Sequence, residues 1–556
     1  MERQRLALVN GLVYTVDARR SVAQALMVCN GRIAAVGSSD EVLADADRQT
    51  LVVDLGGRLV LPGFIDAHMH PAQGAASELF EPSLRGCTSA AECLKRIETF
   101  LAADSAAPFV TAWGWSAGLL DEDELTAARL DAVVADRPVA LYDDGGHAMW
   151  VNSRTLELAG ISALTPDPSG GVIERTAGGI PSGLLREEPI MWVERALPKR
   201  TVQQYARALS HFQREIAGPL GLTTVQEAVV RPGDPLLDAY EELQMRGELS
   251  VRACVSLWIE HDPGLDEQVE ALVAERSRHR GPLVRAGCAK LFADGVVEGH
   301  TAYLKHDYAD RPGYRGEPSW SPEGLTAASI AAARAGFQLH YHAIGDAGVA
   351  LSLDAIRAAR RAASAPPRRS LVTHLQLVDP ADLRRFSDLD VVALPQPYWF
   401  VKDELFRTVL GPYLGRERAE HQYPMRSYWD HRVVVASASD YPVVPRPDPL
   451  LAIQRGVLRR EINGAEQGEV LWPEERVGVE QMIETFTING AFANFLEDET
   501  GSLEVGKAAD LVVLSENILE QPPQHLSDAS VLLTLFSGRP VHALEPFSEL
   551  QGPEYQ

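Results

Sequence analysis

Two imidazoles stand one residue apart at the end of an apolar run, Leu61-Pro62-Gly63-Phe64-Ile65-Asp66-Ala67-His68-Met69-His70. Side chains alternate along a strand, so His68 and His70 project from one face, and neutral imidazole is the commonest side-chain metal ligand. The pair has the form of half a metal site. By itself it decides little, because the chain carries 15 histidines and a lone His-x-His is more often two ordinary hydrogen-bonded rings. Other polar residues that interrupt apolar runs change the balance: Lys290 within Ala289-Lys290-Leu291-Phe292-Ala293, His342, His374, and Asp440. Nitrogen and oxygen donors without thiolates suit one or two zinc-like divalent cations rather than a closed structural tetrahedron. Lys290 needs its own account, since a buried ammonium beside cations is strongly disfavoured. Either it is a structural lysine paired with Asp294 or Glu227, or carbon dioxide has converted its amine to an anionic carbamate that can bridge two metals.

These residues lie far apart in the chain and need a scaffold that gathers strand ends. Eight strand-like runs, at 64–70, 222–227, 251–257, 284–292, 337–342, 371–376, 391–395 and 433–440, alternate with helical patterns such as the Ala-rich stretches 326–335 and 352–363. That alternation predicts an α/β protein built on a closed (β/α)8 TIM barrel, whose carboxyl-terminal rim collects the polar residues. The first sixty residues hold short strand-like segments separated by Asn10-Gly11 and Asn30-Gly31 turns, and 509–514 and 531–536 read the same way. Neither end has enough strands to bury a sheet face, so both are expected in one small β-sandwich, residues 1–62 plus 490–547. The barrel then comprises 63–76 plus 219–489. Residues 77–218 form an insertion subdomain after the first strand, at the face where barrel loops define the substrate pocket.

The formal net charge of −25, with no basic stripe to offset it, excludes nucleic acid and anionic membrane as partners and favours a small molecule. Met1-Glu2-Arg3-Gln4-Arg5 enters strand-like sequence with no apolar leader, and no run of eighteen apolar residues follows, so a cytoplasmic location is expected. Five cysteines, an odd number without a CxxC, argue for reduced thiols rather than a disulfide framework. A homodimer is left open.

The chain resembles the amidohydrolase superfamily and, within it, the YtcJ-like branch of metal-dependent amidohydrolases. The resemblance rests on the His68-Met69-His70 segment, His147-Ala148-Met149-Trp150-Val151-Asn152-Ser153, Gly183-Leu184-Leu185-Arg186-Glu187, Phe292-Ala293-Asp294-Gly295, His342-Ala343-Ile344-Gly345-Asp346, Thr373-His374 and Ser439-Asp440-Tyr441-Pro442-Val443. It implies that His68, His70 and Asp440 hold a more buried ion and His342 and His374 a more exposed one, with N6-carboxylated Lys290 between them. Asp440 would take a proton from metal-activated water and pass it to the leaving nitrogen. His147 would bind the substrate carbonyl or its oxyanion, unless it only orders the insertion. Arg186 is expected either to recognise a substrate carboxylate or to pair with Glu187 or Glu188. His300, Trp115, Tyr398 and Trp399 are further pocket candidates, the aromatics favouring an apolar substrate group. Asp294 and Asp346 either orient ligands or cap loops, and His340 reads as a satisfied interior histidine. The implied reaction is hydrolysis of a C–N bond in a small N-acyl or N-formyl compound. Cyclic amides, carbamates, esters or aryl amines are alternative substrates, and a catalytically silent binding or regulatory relative is the alternative of another class.

Overall fold

The structure is a computed structural model that describes residues 5–103, 108–116, 120–168, 170–261, 264–365, 367–463 and 466–551. The leading residues 1–4, on which the expectation about a leader partly rests, and residues 552–556 lie outside them.

Seven parallel strands form the central sheet: β1 (Phe64–Met69), β2 (Leu222–Val230), β3 (Arg252–Trp258), β4 (Val284–Phe292), β5 (Gln338–Ala343), β6 (Ser370–His374) and β7 (Val391–Leu394), in the order β7-β6-β5-β4-β3-β2-β1. The expected eighth strand is irregular. Val435 makes a single parallel bridge to Ala393 of β7, with Ala436 N–H donating to Ala393 O at 3.0 Å and Ala438 N–H to Pro395 O at 3.1 Å. On its other side Ala67 N–H donates to Ser437 O at 3.1 Å, and Asp440 N–H to His68 O at 2.8 Å. This stave therefore joins β7 to β1 and closes the barrel. It cannot continue as a ladder because Asp440 sits at φ 61°, a left-handed conformation that aspartate tolerates better than most residues and that turns the chain at the rim.

The helices around the barrel bury one stripe each. In Asp346–Ala362, Val349, Leu353, Ile356 and Ala359 are fully buried at spacings of three and four, while Arg357 and Arg361 face water. Burying each large aliphatic side chain contributes roughly 1.5–3 kcal/mol, so this stripe, rather than helix propensity, holds the crossover on the barrel.

Strands from both chain ends pair in one six-stranded sheet, where Leu511–Leu514 runs antiparallel to Leu59–Pro62 with Leu511 opposite Pro62. A four-stranded sheet packs on it over a shared core that includes Leu8, Val28, Leu511 and Leu533. Leu59–Pro62 leads directly into β1, so the chain's last strands anchor the segment that carries the histidine pair. Between β1 and β2 a five-stranded sheet, ordered Gly171–Arg175, Pro181–Glu187, Ala148–Val151, Val139–Asp143 and Val110–Trp115, has apolar clusters on both faces and leans over the barrel rim. Among the described residues no helix is long and apolar enough to cross a membrane.

Candidate metal centre

The end of β1 and the irregular stave meet at three donor atoms. His68 Nε2 and His70 Nε2 each lie 3.3 Å from Asp440 Oδ1. Two atoms bound at about 2.0–2.1 Å to a shared tetrahedral zinc-like cation stand about 3.3 Å apart, so the spacing suits three ligands of one such ion. Asp66 sets it. Its Oδ1, buried two residues before His68, accepts the N–H groups of His68 at 3.1 Å and of Ser439 at 3.2 Å, tying both staves to one carboxyl.

Further along the rim, His342 and His374 approach with ring centroids 4.4 Å apart. Neither nitrogen of His342 has a hydrogen-bond partner, although both are buried. His374 lies 3.3 Å through Nδ1 from Gln396 Oε1. Donation from that Nδ1–H to the amide oxygen leaves Nε2 bare as a ligand atom. Gln396 is itself fixed, its Nε2 donating to Thr373 Oγ1 at 3.1 Å. Burial pushes His68 and His342 well below the usual imidazole range and His374 down to about 3, which keeps the rings neutral as metal ligation requires. Asp440 is the converse: burial opposes its charge, but the close approach of the His68 and His70 rings outweighs that and holds it well below the carboxylate range.

Lys290 is completely buried and its Nζ has no hydrogen-bond partner. Both salt-bridge alternatives are taken up elsewhere. Asp294 accepts from the N–H groups of Tyr303, Ile344 and Gly345 and lies 3.7 Å from His342 Nδ1. Glu227 accepts the Tyr240 hydroxyl at 3.0 Å. Burial lowers the Lys290 amine to about 7, against the attraction of Asp440. The Phe292 ring lies 5.0 Å from Nζ, but a buried ammonium without a hydrogen-bonded anion is costly; an amine poised to lose its proton, or an anionic carbamate beside cations, is not. The donor set therefore fits divalent metal.

His147 reaches over this group from the insertion, its ring centroid 5.3 Å from that of His342. Its Nδ1 is 2.9 Å from Glu187 Oε2, and the Thr301 hydroxyl donates to the other oxygen of Glu187 at 2.5 Å. Burial works against a charged ring here, but Glu187, helped by Asp143 and Glu298, outweighs it and raises His147 to about 9. A cavity of about 490 Å³ runs from the centre between barrel and insertion, walled by Trp113, Tyr142, Trp258, Phe292 and Trp320.

Several expected pocket residues stand elsewhere. Trp115 is fully buried in the insertion core, where its indole N–H donates to Leu141 O at 2.8 Å. Strand alternation puts Trp113 and Trp115 on one face, but the strand bulges between them: Tyr142 opposes Trp113 and the next residue, Asp143, opposes Trp115. Gly114 permits this at φ 105°, and a Cβ there would lie 2.5 Å from Arg85 Cγ. Trp113 alone faces the cavity, stacked on Tyr142 at 5.0 Å. Arg186 pairs with Glu174 at 3.0 Å across the hairpin. His300 is buried against Tyr308 and Tyr413 with Nε2 2.8 Å from Asp310, and does not line the cavity. Tyr398 is buried beneath its loop, while Trp399 stacks on the His374 ring at 5.9 Å, buttressing a candidate ligand instead of walling the cavity. Asp346 accepts Lys305 N–H at 2.8 Å and caps a loop. Asp66, Gln396 and Glu187 were not singled out in sequence; a carboxyl inside an apolar strand was the one available signal, at Asp66.

The model of the amidohydrolase family matches residues 51–542. An N-substituted formamide deformylase from Arthrobacter pascens is 30% identical over 550 residues, spanning 96% of this chain and 97% of its own length. The putative amidohydrolase YtcJ of Bacillus subtilis is 30% identical over 545 residues, 96% of this chain and 98% of its own. Among solved structures, an uncharacterised metal-dependent hydrolase from Pyrococcus furiosus superposes with a TM-score of 0.71 at 26% identity, covering 93% of this chain and all of that one.

Proposed function

Because the chain belongs to the amidohydrolase family, as a metal-dependent hydrolase of carbon–nitrogen bonds other than peptide bonds, we propose that it cleaves the amide of a small N-acyl or N-formyl compound whose amine bears an aromatic or extended apolar group. The carrying observation is the convergence of His68, His70 and Asp440 at 3.3 Å spacings beneath an aromatic cavity. The deformylase similarity supports the N-formyl class.

In this reading His68, His70 and Asp440 would hold one divalent cation, taken to be zinc, and His342 and His374 would serve a second. Lys290 lines the same cavity. Its uncharged amine attacks carbon dioxide, forming an N–C bond and releasing one proton, and the resulting carbamate supplies the negative charge that an unmodified Lys290 lacks. When bound, the metal polarises the scissile carbonyl and acidifies water. Asp440, ionised and facing both imidazoles, takes the proton of the attacking water and returns it to the departing nitrogen. His147 has Nδ1 engaged by Glu187, so Nε2 remains to donate to the carbonyl oxygen as negative charge develops there. The indole of Trp113 and the rings of Tyr142 and Trp258 receive the amine substituent and exclude water around it.

A panel of N-formyl and N-acyl arylalkylamines, with esters and cyclic imides as competitors, tests the proposal. Turnover of the formamides or acyl amides by the metal-loaded enzyme, lost in Asp440→Asn, is expected. No turnover across the panel with stoichiometric metal present would overturn the substrate assignment.

A further inference from the structure

Beneath the rim, inside the barrel, four side chains from four strands connect in sequence, and of the four His68 alone lines the cavity. His68 Nδ1 lies 2.9 Å from His340 Nε2, and His340 Nδ1 lies 2.8 Å from Ser256 Oγ. Gln226 Nε2 donates to the same Ser256 oxygen at 2.8 Å. His340, Ser256 and Gln226 are fully buried. His68 and His340 meet edge to face with centroids 4.9 Å apart, so the contact is directed through the ring nitrogens and not through stacking.

The hydrogens in this chain have two self-consistent arrangements, and only one leaves His68 able to bind a cation. With a proton on His68 Nδ1, that N–H donates to bare His340 Nε2, and His340 Nδ1–H donates to Ser256; His68 Nε2 then presents a lone pair toward Asp440. With the chain reversed, His340 Nε2–H donates to His68 Nδ1 and the proton sits on His68 Nε2, blocking the ligand position. A ligating histidine commonly gives its second N–H to a carboxylate or a carbonyl. Here the acceptor is another neutral imidazole, whose own orientation is held by Ser256, which packs with Gln226 against the Cys288 thiol. His340 also leads β5 toward His342 two residues on, so one strand positions a ligand on each side of the centre.

We infer that His340 is a positioning residue for the metal centre: anchored by Ser256, it accepts the Nδ1 hydrogen of His68 and so holds the His68 ring with Nε2 bare and aimed at the cation. This rests on the proposed assignment of His68 as a ligand. The role goes beyond filling the barrel interior, because a side chain of equal volume without an acceptor at the Nε2 position would not perform it.

Metal binding tests it directly. Purified wild-type, His340→Leu, His340→Gln and Ser256→Ala proteins are stripped, titrated with Zn2+ against a competing chelator, and separately loaded with Co2+ for visible spectroscopy. Gln places an amide oxygen near the position of Nε2, so His340→Gln is expected within about threefold of wild-type affinity. His340→Leu is expected to lose about 10–100-fold, the range seen when such supporting partners of metal ligands are removed, with a changed Co2+ spectrum. Ser256→Ala, which removes one oxygen, is expected to lose about three- to tenfold. Unchanged affinity and spectrum in a folded His340→Leu overturns the inference, as does an equal loss in Leu and Gln variants. Should the Leu variant not fold, wild-type affinity in Ser256→Ala overturns it instead. A wild-type chain that binds no stoichiometric metal overturns the proposed centre and this inference together, which separates the two failures.

Discussion

Removing the Asp66 carboxyl should loosen the seam between β1 and the stave that carries Asp440. In Asp66→Ala the N–H groups of His68 and Ser439, now bonded at 3.1 and 3.2 Å, lose their acceptor in a site closed to water. Each unsatisfied buried donor costs about 1–3 kcal/mol, giving about 2–6 kcal/mol for the pair, partly recovered if the chain relaxes. Asp66→Asn keeps an oxygen at the Oδ1 position. Burial already raises Asp66 to about 7 despite those hydrogen bonds, so losing its charge changes little, and a destabilisation below about 1 kcal/mol is expected. Urea unfolding of the metal-free proteins, followed by far-ultraviolet circular dichroism, measures the difference. Because Asp66 also sets the 3.3 Å approach of Asp440 to both imidazoles, Zn2+ affinity in Asp66→Ala should fall at least tenfold, and in Asp66→Asn by less than threefold. Equal stability and equal affinity of the Ala and Asn variants would refute this reasoning, for it would mean that the shared acceptor neither holds the seam nor spaces the ligands.

Chelation of the purified enzyme should abolish turnover, and Zn2+ readdition should restore it alongside a rise in melting temperature, read in the same samples. His147→Gln and Glu187→Gln should each lower kcat by about 10²–10³-fold, as loss of a transition-state donor does, while metal content by elemental analysis stays at the wild-type level. Trp113→Ala should raise KM for aryl-substituted amides about tenfold and spare short aliphatic ones, whereas Trp115→Ala should cost about 3–5 kcal/mol of insertion stability by leaving a core cavity; steady-state kinetics and proteolysis of the insertion distinguish them. Burial raises Glu227 from 4.5 to about 8, so the protonated form favours the folded state: that stability is complete below about pH 4.5 and is lost as pH rises to about 8. Glu227→Gln, which can still accept from Tyr240, should flatten this part of the stability–pH curve measured by urea unfolding between pH 5 and 9.

The barrel was legible because its strands are apolar runs bounded by breakers and separated by helical stripes, so seven of the eight staves emerge as regular parallel strands. The eighth was expected as a strand and is a bridge closed by scattered backbone bonds, since a run rich in Ala and Ser that ends in a left-handed aspartate satisfies both neighbours without a full ladder. His68, His70, Lys290, His342, His374 and Asp440 could be named in advance, because a polar group in an apolar strand must have a partner, and these were the polar groups without a local one. The pocket walls could not. Trp113 and Trp115 are indistinguishable by alternation, and Gly114 separates them only through a bulge against the neighbouring strand. Tyr398 and Trp399 sit on the predicted loop, yet its tight turn sends one ring inward and lays the other on His374.

What the sequence by itself determined is therefore the scaffold and a set of candidate ligands, both consequences of solvation: apolar periodicity dictates which faces are buried, and a charge in such a face must be compensated. Which donor serves which ligand was decided only by tertiary structure. Asp66 holding Ser439, Glu187 holding His147, Gln396 beside His374 and His340 behind His68 are pairings between residues 22 to 373 positions apart. A hydrogen bond depends on angles and on tenths of an ångström that no local pattern encodes, so these contacts exist only once the strands have closed around the centre.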